Sequence, residues 1–403
     1  MPGFFNVGEM QVTYESPRIL QCGKCGLYKT CISPKMASTG LGNKKVLFVA
    51  EAPGKEEDRQ GEQLIGESGQ FLRKVLRKIH IELDDCWKTN AIICRPPKNK
   101  IEPFMISCCR PSLMKTIDIL KPHIIIALGA FALESLLMGE WKKNIGPLSR
   151  WTGWNIPSPK YNAWICPTFH PSYILRMNED KLLTSIFQHH LTVAFGLEKE
   201  PLPKVSLKDL ESQIEIITSP REARLRMRDL AKKKGLLAFD YETTGLKPDK
   251  KEQRIVSSSF CLNGEDTFAC MIDETTHKAL RAVLTSERLG KVASNLKFEE
   301  RWSRAKLNCG AKNWHWDTML AAHLLDNRAQ ISSIKFQAYV HFGIPDYDSH
   351  ISSYLQAKSS NQINSIQNLN PKDLLLYNGL DSILEYLVME KQKKLYYGDN
   401  YIS

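Results

Sequence analysis

Short unbroken apolar runs alternate with helically spaced stretches along the first half of the chain. Residues 45–50 (KVLFVA), 90–94 (NAIIC), 123–128 (HIIIAL) and 163–167 (AWICP) read as strands, and 70–79 (QFLRKVLRKI) places its apolar residues three and four apart, as a helix does. Strands that are apolar along their whole length are buried on both faces, which predicts a mainly parallel sheet with helices on either side. Ligands of such sheets bind beyond the carboxyl ends of the strands. Chemistry is therefore expected at residues 51–54, at Asn90 and at residues 169–172.

The second half opens with IEIIT, a basic helix-like run to Lys234, and LLAFDYETTG, which reads as a strand carrying Asp240 and Glu242. Helical patterns follow at 317–325 and 371–394; Asn370 suits the cap of the latter and Pro371 its first position. Between the halves, 198–206 (EKEPLPKVS) has two prolines and alternating charge, the composition of a linker. The expected organisation is α/β in two domains, 1–197 and 207–403. Residues 349–370, rich in Ser, Asn and Gln, read as a mobile loop.

At 403 residues each half is long enough to bury its own core. The net charge of +11 suits a polyanionic partner, without naming one. No secretory leader is visible, and the most apolar stretch, 124–138, contains Glu134 and is too short to span a bilayer, so a cytoplasmic protein is expected. Thiols stay reduced there. Eight of the eleven cysteines lie in the first half, which points to metal or cluster ligation rather than disulfides. The basic clusters at 221–234 and at Lys142 and Lys143 read as solvated faces and receive no site role.

Residues two apart on a strand share a face, so Asp240 and Glu242 present two carboxylates to one point. Tyr377 and Asp381, four apart on a helix, do the same. With Asn295 and Glu299 from SNLKFEERW, four carboxylates and a phenol become available to hold two divalent cations, Mg2+ or Mn2+, for phosphodiester hydrolysis. Each pair alone is more often a solvated strand end or helix face than a site. The ordered set FDYETTGL, NLKFE, WDTMLAAHLLDN and YNGLDS resembles the three exonuclease motifs of the proofreading domain of family A DNA polymerases, over residues 207 to 403. The resemblance implies a ribonuclease H-like fold, Asp240, Glu242, Glu299 and Asp381 as metal ligands, and Tyr377 orienting the attacking water. It departs at Glu299, where that family usually has Asp.

CGKCGLYKTC supplies Cys22 and Cys25 as a paired ligand motif, and Cys94 and Cys109 follow in IICRPP and CCRPSL. Spacing alone leaves zinc and an iron–sulfur cluster both open. The set CGKCGLY, FVAEAPGKEEDRQG, GESGQFL, TNAIICRPP, CRPSL, IALGAFAL and TFHPSYILR resembles the family 4 uracil-DNA glycosylases over about residues 15–195. That resemblance implies a three-layer glycosylase fold and a 4Fe-4S cluster on Cys22, Cys25, Cys94 and Cys109. Base excision needs a flipped nucleotide, a reading of its edge and stabilisation of the departing pyrimidine. The matching positions are Asn90 for reading uracil, His170 for donating to the uracil oxygen, Glu51 or Glu57 for positioning water or stabilising the cationic sugar, and Gly54 for close approach. Leu64 departs from the family, which generally places Phe there to stack on the base. RKIH at 77–80 reads as a solvated helix end.

The expected function is twofold: uracil excision by the first domain, and metal-dependent 3'-5' hydrolysis of DNA by the second, in replication or base-excision repair. The alternative is a first domain that binds DNA or uracil without cleaving and serves a polymerase's proofreading activity. DNA is the expected partner, single-stranded, at 3' ends or containing uracil, with a polymerase subunit or domain as a second candidate. About twenty residues follow Asp381, too few for a polymerase, which leaves open a fragment, a split polymerase product or a free-standing fusion. The organisation suits a phage replication system.

Overall fold

The apolar runs of the first half form β1 (Val46–Ala50), β2 (Trp87–Asn90), β3 (Ile124–Leu128), β4 (Ile156–Ser158) and β5 (Ala163–Thr168), in the order β2-β1-β3-β5-β4. The first four in that order run parallel, and β4 closes one edge antiparallel to β5. Every residue of these strands is buried, as a sheet covered on both faces requires. This computed structural model describes residues 23–357, 359 and 361–398. The chain divides into two compact units, Met1–Pro203 and Lys204–Ser403.

In the first unit, α1 (Lys55–Gln60), α2 (Glu67–Arg77), α3 (Pro103–Leu120), α4 (Ala130–Leu137), α5 (Pro171–Arg176) and α6 (Lys181–Gly196) flank the sheet. Phe71 of α2 stacks on Phe187 of α6 over Val46, Phe48 and Ile126, while α4 packs on β3 and β1. One strand is misplaced by the sequence reading. The run 90–94 is not a strand: β2 precedes it and ends at Asn90, and the chain then turns. Ile92, Ile93 and Cys94 are apolar because they pack on Leu27, Met105, Ile106 and Cys109, a separate cluster away from the sheet core. The first part of the expected linker is also laid on this unit. His123 Nε2 lies 3.1 and 3.0 Å from the carbonyls of Leu197 and Glu200, and Trp164 Nε1 donates to Glu200 O at 3.2 Å.

The second unit has β6 (Ile214–Ile217), β7 (Gly235–Thr243), β8 (Ile255–Leu262), β9 (Asp266–Met271), β10 (Leu289–Ala293) and β11 (Trp314–Asp317), in the order β11-β10-β7-β8-β9-β6. Only β8 runs antiparallel to its neighbours among these described strands. Its helices are α7 (Leu207–Ser212), α8 (Pro220–Leu230), α9 (His277–Thr285), α10 (Leu296–Leu307), α11 (Thr318–Leu325), α12 (Ile334–Phe342), α13 (Ser352–Leu355) and α14 (Pro371–Tyr397). Along β7 the two-residue period separates two cores. Leu237, Phe239 and Tyr241 face Met227 of α8 and Trp302 of α10, while Ala238 faces Leu380, Ile383 and Leu384 of α14. Asp240 and Glu242 follow Ala238 in register, on the α14 side. Asn370 caps α14 by accepting from Lys372 N.

The segment 349–370, expected as a mobile loop, is mostly exposed among its described residues and is anchored at a few points. Ile351 and Ile366 are buried, and Asn364 Nδ2 donates to the carbonyls of Thr243 and Leu355 at 2.9 and 3.1 Å. The buried Asn364 amide thereby satisfies a carbonyl at the end of β7 and one at the end of α13, which an apolar residue would leave unpaired. No helix among the described residues is long and apolar enough to cross a membrane.

Candidate active sites

In the second unit, β7 offers Asp240 and Glu242 from one face, and α14 offers Tyr377 and Asp381 one turn apart. Carboxylate oxygens of Asp240, Glu242 and Asp381 lie within 4.8 Å of one another. Glu299, on the first turn of α10, is buried and stands outside that trio, although its charge bears on Asp240 and Glu242. Burial first, and repulsion among these carboxylates second, push Asp240, Glu242 and Glu299 well above the usual carboxylate range. Like charges held this close need a cation or protons between them.

Four residues of this site went unnoticed in the sequence. Asn378 Nδ2 donates to Asp240 Oδ2 at 2.7 Å, and its own Oδ1 accepts from Ser257 Oγ at 2.9 Å, which fixes the amide's orientation. Tyr347 donates its hydroxyl to Asp381 Oδ1. Lys335 Nζ donates to the Tyr377 oxygen at 2.8 Å and lies 3.6 Å from Asp381 Oδ2. Burial works against the Lys335 charge, but Asp381, Asp348, Glu242 and Asp240 outweigh it and raise its pKa. Glu385, one turn beyond Asp381, is a further buried carboxylate, raised by burial and by Asp240, Glu299 and Asp381; its Oε1 accepts from Ser294 N at 3.0 Å. Helical spacing from Asp381 could have flagged Glu385, whereas Lys335 and Tyr347 have no local signal. Oε2 of Glu299 and Oε2 of Glu385 are buried without a hydrogen-bond partner. An all-oxygen set with orphaned acceptors fits hard divalent cations.

In the first unit a cleft of about 460 Å3 opens at the carboxyl ends of β1 and β2, lined by Glu51, Gly54, Glu57, Leu64, Asn90, His170 and Arg176 among others. All six of the sequence-predicted pocket positions therefore share one cavity. Asn90, the last residue of β2, donates through Nδ2 to Gln63 Oε1, and Gln63 Nε2 donates to Ala37 O at 3.0 Å. Both amides are buried, so the Gln63 bond to a backbone carbonyl dictates which way Asn90 points. No local pattern marks Gln63 beyond its place beside Leu64.

His170 caps α5. Its Nδ1 accepts from Ser172 N at 3.1 Å and lies 2.8 Å from Ser172 Oγ, which in turn accepts from Arg176 Nη1 at 3.1 Å. Burial and the nearby Arg176 lower His170 to about 4. Glu51 accepts from Phe131 N at 3.3 Å, and burial raises its pKa against the opposing effect of that amide, Ala130 N and Arg176. Glu57 is committed differently. Its Oε1 accepts from Ile65 N and Gly66 N at 3.1 and 2.8 Å, bracing the loop that carries Leu64. A Cβ on Gly54 would sit 2.6 Å from Glu57 Oε2, so glycine there lets the brace form. Leu64 has φ 54, lines the cleft and packs its side chain with Phe48, Phe71 and Leu72.

Of the expected cluster ligands, Cys25, Cys94 and Cys109 meet in the apolar group around Leu27 and Ile106; Cys22 lies outside the described residues. Lys35 N donates to Cys94 Sγ at 3.2 Å. Thiols gathered in an apolar pocket and receiving backbone N–H groups are the donor set an iron–sulfur cluster uses.

A profile of the uracil DNA glycosylase superfamily matches residues 38–190, and one of 3'-5' exonucleases matches residues 214–392. The type-4 uracil-DNA glycosylase of Thermotoga maritima is 33% identical over 174 residues, which cover 41% of this chain and 84% of that protein. That of Pyrobaculum aerophilum is 34% identical over 189 residues, covering 44% and 90%. A DNA polymerase of Bacillus phage SP01 is 25% identical over 329 residues, covering 72% of this chain and 34% of the polymerase. Since 72% of the chain exceeds the length of either unit, that similarity runs through both.

Proposed function

The chain belongs to the type-4 uracil-DNA glycosylase family through its first unit and carries a 3'-5' exonuclease domain of the DNA polymerase A type in its second, and from that premise we propose that it excises uracil from DNA and hydrolyses DNA from the 3' end. It is a hydrolase of DNA repair or processing.

For the glycosylase, the observation that carries the reading is the bond from Ser172 N to His170 Nδ1. With Nδ1 accepting, a neutral imidazole keeps its proton on Nε2, where it donates to the uracil oxygen that gains charge as the base departs. Asn90, oriented through Gln63, presents its carbonyl and remaining N–H to the base edge, the pattern that distinguishes uracil from cytosine. Glu51 is the carboxylate left to position water or stabilise the sugar, because Glu57 braces the Leu64 loop. A 4Fe-4S cluster would be held by Cys25, Cys94 and Cys109 with one further cysteine, and when bound supplies a cross-link between distant segments. Cys94 follows Asn90 by four residues, so fixing it steadies the base-reading end of β2.

For the exonuclease, the convergence of Asp240, Glu242 and Asp381 within 4.8 Å carries the reading. These residues and Glu299 would hold two Mg2+ or Mn2+ ions, which supply Lewis-acid polarisation of the scissile phosphate. Burial keeps Tyr377 a neutral phenol. Lys335 donates to its oxygen, which leaves the phenolic O–H free to orient the attacking water. DNA is the substrate of both sites, and a DNA polymerase is the partner that the phage similarity suggests.

Leu64 favours a second reading, in which the first unit binds DNA without cleaving, since a leucine seated in the core cannot stack on a flipped base. Single-turnover assays with enzyme in excess over uracil-containing single- and double-stranded DNA decide between them: abasic product is expected, and its absence leaves only binding. In parallel, Mg2+-dependent shortening of 3' ends is expected, abolished by chelation and by Asp240→Ala. Equal degradation by Asp240→Ala and the parent would overturn the nuclease assignment.

A further inference from the structure

We propose that Lys335 is a positioning residue of the exonuclease site: its ammonium holds the Tyr377 phenol in place and, sharing Asp381 with the metal ions, weakens the site's hold on them. The proposal rests on the exonuclease reading of the second unit and concerns what one residue of that site does for the reaction.

Lys335 is the second residue of α12, in a first turn that holds no acidic residue. A cation there is opposed by the positive end of the helix dipole, and its side chain is only 20% exposed. Neither helix stability nor solvation therefore accounts for a lysine at this position. Its surroundings do. Nζ donates to the Tyr377 oxygen at 2.8 Å and lies 3.6 Å from Asp381 Oδ2 and 3.8 Å from Asp348 Oδ2. The ring centroids of Tyr377 and Tyr347 are 5.0 and 5.5 Å from Nζ, within the range of cation–π attraction. The lysine thus reaches from α12 to α14, which carries Tyr377 and Asp381, and to the segment bearing Tyr347 and Asp348.

On Tyr377, a donor at the oxygen turns the hydroxyl hydrogen away from the lysine, which sets the direction in which the phenol donates. On Asp381, Tyr347 donates to Oδ1, and the ammonium faces the other oxygen, Oδ2. At 3.6 Å that contact is an ion pair too long for a hydrogen bond. Oδ2 can therefore still take a cation, but a cation there meets a like charge. Asp381 is one of three carboxylates with oxygens within 4.8 Å of one another, so the repulsion acts on the site as a whole. A neutral donor, such as the Tyr347 hydroxyl at Asp381, would hold Tyr377 without that repulsion. Its charge is what separates Lys335 from a purely structural tether.

The test is Mn2+ binding, titrated by electron paramagnetic resonance, together with the exonuclease rate at saturating Mn2+. Both are measured on the full chain and on Lys335→Met, Lys335→Gln and Lys335→Arg, with Lys335→Met repeated in Tyr377→Phe. On the scale by which neighbours of metal ligands act, the two uncharged variants are expected to bind Mn2+ about tenfold more tightly and to cleave about ten- to a hundredfold more slowly. Lys335→Arg keeps the charge, and is expected to keep the parental affinity and to recover part of the rate. In Tyr377→Phe, the further change Lys335→Met is expected to slow cleavage by less than about twofold, since residues that act as a pair are not additive, while still tightening Mn2+ binding. A merely structural lysine would lose affinity and rate together. Weaker or unchanged Mn2+ binding in both uncharged variants, an undiminished rate at saturating Mn2+, or a full additional loss of rate in Tyr377→Phe overturns the proposal. A parent that binds no Mn2+ and degrades no DNA overturns the exonuclease reading itself, so the two failures are distinguishable.

Discussion

Ser172 N donates to His170 Nδ1 across 3.1 Å, and that bond decides where the imidazole proton resides. With the pKa lowered to about 4 by burial and by Arg176, His170 stays neutral and Nε2-protonated through the physiological range. Nitrogen NMR of labelled histidine should report that tautomer at pH 7. The unfolded imidazole takes up a proton below about 6.5 while the folded one does not until about 4. The stability from this residue is therefore complete above 6.5 and lost as pH falls towards 4. Uracil excision should show no acid limb from His170 until pH nears 4, and His170→Gln should slow it by about a hundredfold to a thousandfold, the usual cost of a lost oxyanion donor. An imidazolium at pH 7 would refute the tautomer.

Asn378 holds Asp240 from behind, with its amide oriented by Ser257. Outer-shell partners of this kind are worth about ten- to a hundredfold in metal affinity or activity. Asn378→Ala is therefore expected to shift the Mg2+ concentration needed for half-maximal exonuclease rate upward by that factor, with a smaller change in rate at saturating Mg2+. An unchanged Mg2+ dependence would show that Asp240 needs no such support.

The raised carboxylates make the second unit's stability depend on pH in a direction opposite to that of His170. Asp240, Glu242, Glu299 and Glu385 hold protons in the folded protein that the unfolded chain releases. In chelator, the stability they contribute is complete below the ordinary carboxylate range and is lost as pH rises through their elevated folded values. Mg2+ replaces those protons and stabilises the folded state by mass action. Differential scanning calorimetry should show the metal-sensitive transition rising more on Mg2+ addition at pH 8 than at pH 5; an equal rise at both would mean the cluster is ionised throughout.

The sequence made legible what recurs at fixed spacing. Asp240 and Glu242 on a strand, and Tyr377 and Asp381 on a helix, are geometric statements that hold wherever the element forms, and β7 and α14 formed as read. The strand expected at 90–94 failed because an apolar run reports burial, not the partner: these residues bury against the cysteine cluster. Gln63, Lys335 and Tyr347 were illegible for a related reason. Each acts on a residue brought close only by the tertiary fold, Asn90, Tyr377 and Asp381 respectively. Polar composition also hid the one anchor inside 349–370 where Asn364 bonds to the end of β7.

Leu64 sits at a left-handed φ of 54 on a loop braced by Glu57, with Gly69 tucked so close that a Cβ there would meet the Leu64 carbonyl at 1.8 Å. The backbone of the loop is thus fixed by contacts that do not involve the Leu64 side chain, and a larger residue there either extends into the cleft that the side chain lines or crowds the core it packs in. Base–aromatic stacking is worth about 1 to 3 kcal/mol, and each 1.4 kcal/mol is about a factor of ten. Leu64→Phe should therefore raise single-turnover uracil excision about tenfold, towards the lower end of that range because part of the gain offsets strain from the added volume. Overpacking costs about 1 to 3 kcal/mol, so the melting temperature of the first unit should fall in the same variant. Faster excision with lower stability is the expected pair of results. A rate that falls together with stability would mean that the ring is driven into the core beside Phe48 and Phe71, and that the leucine is required by packing rather than tolerated by the site.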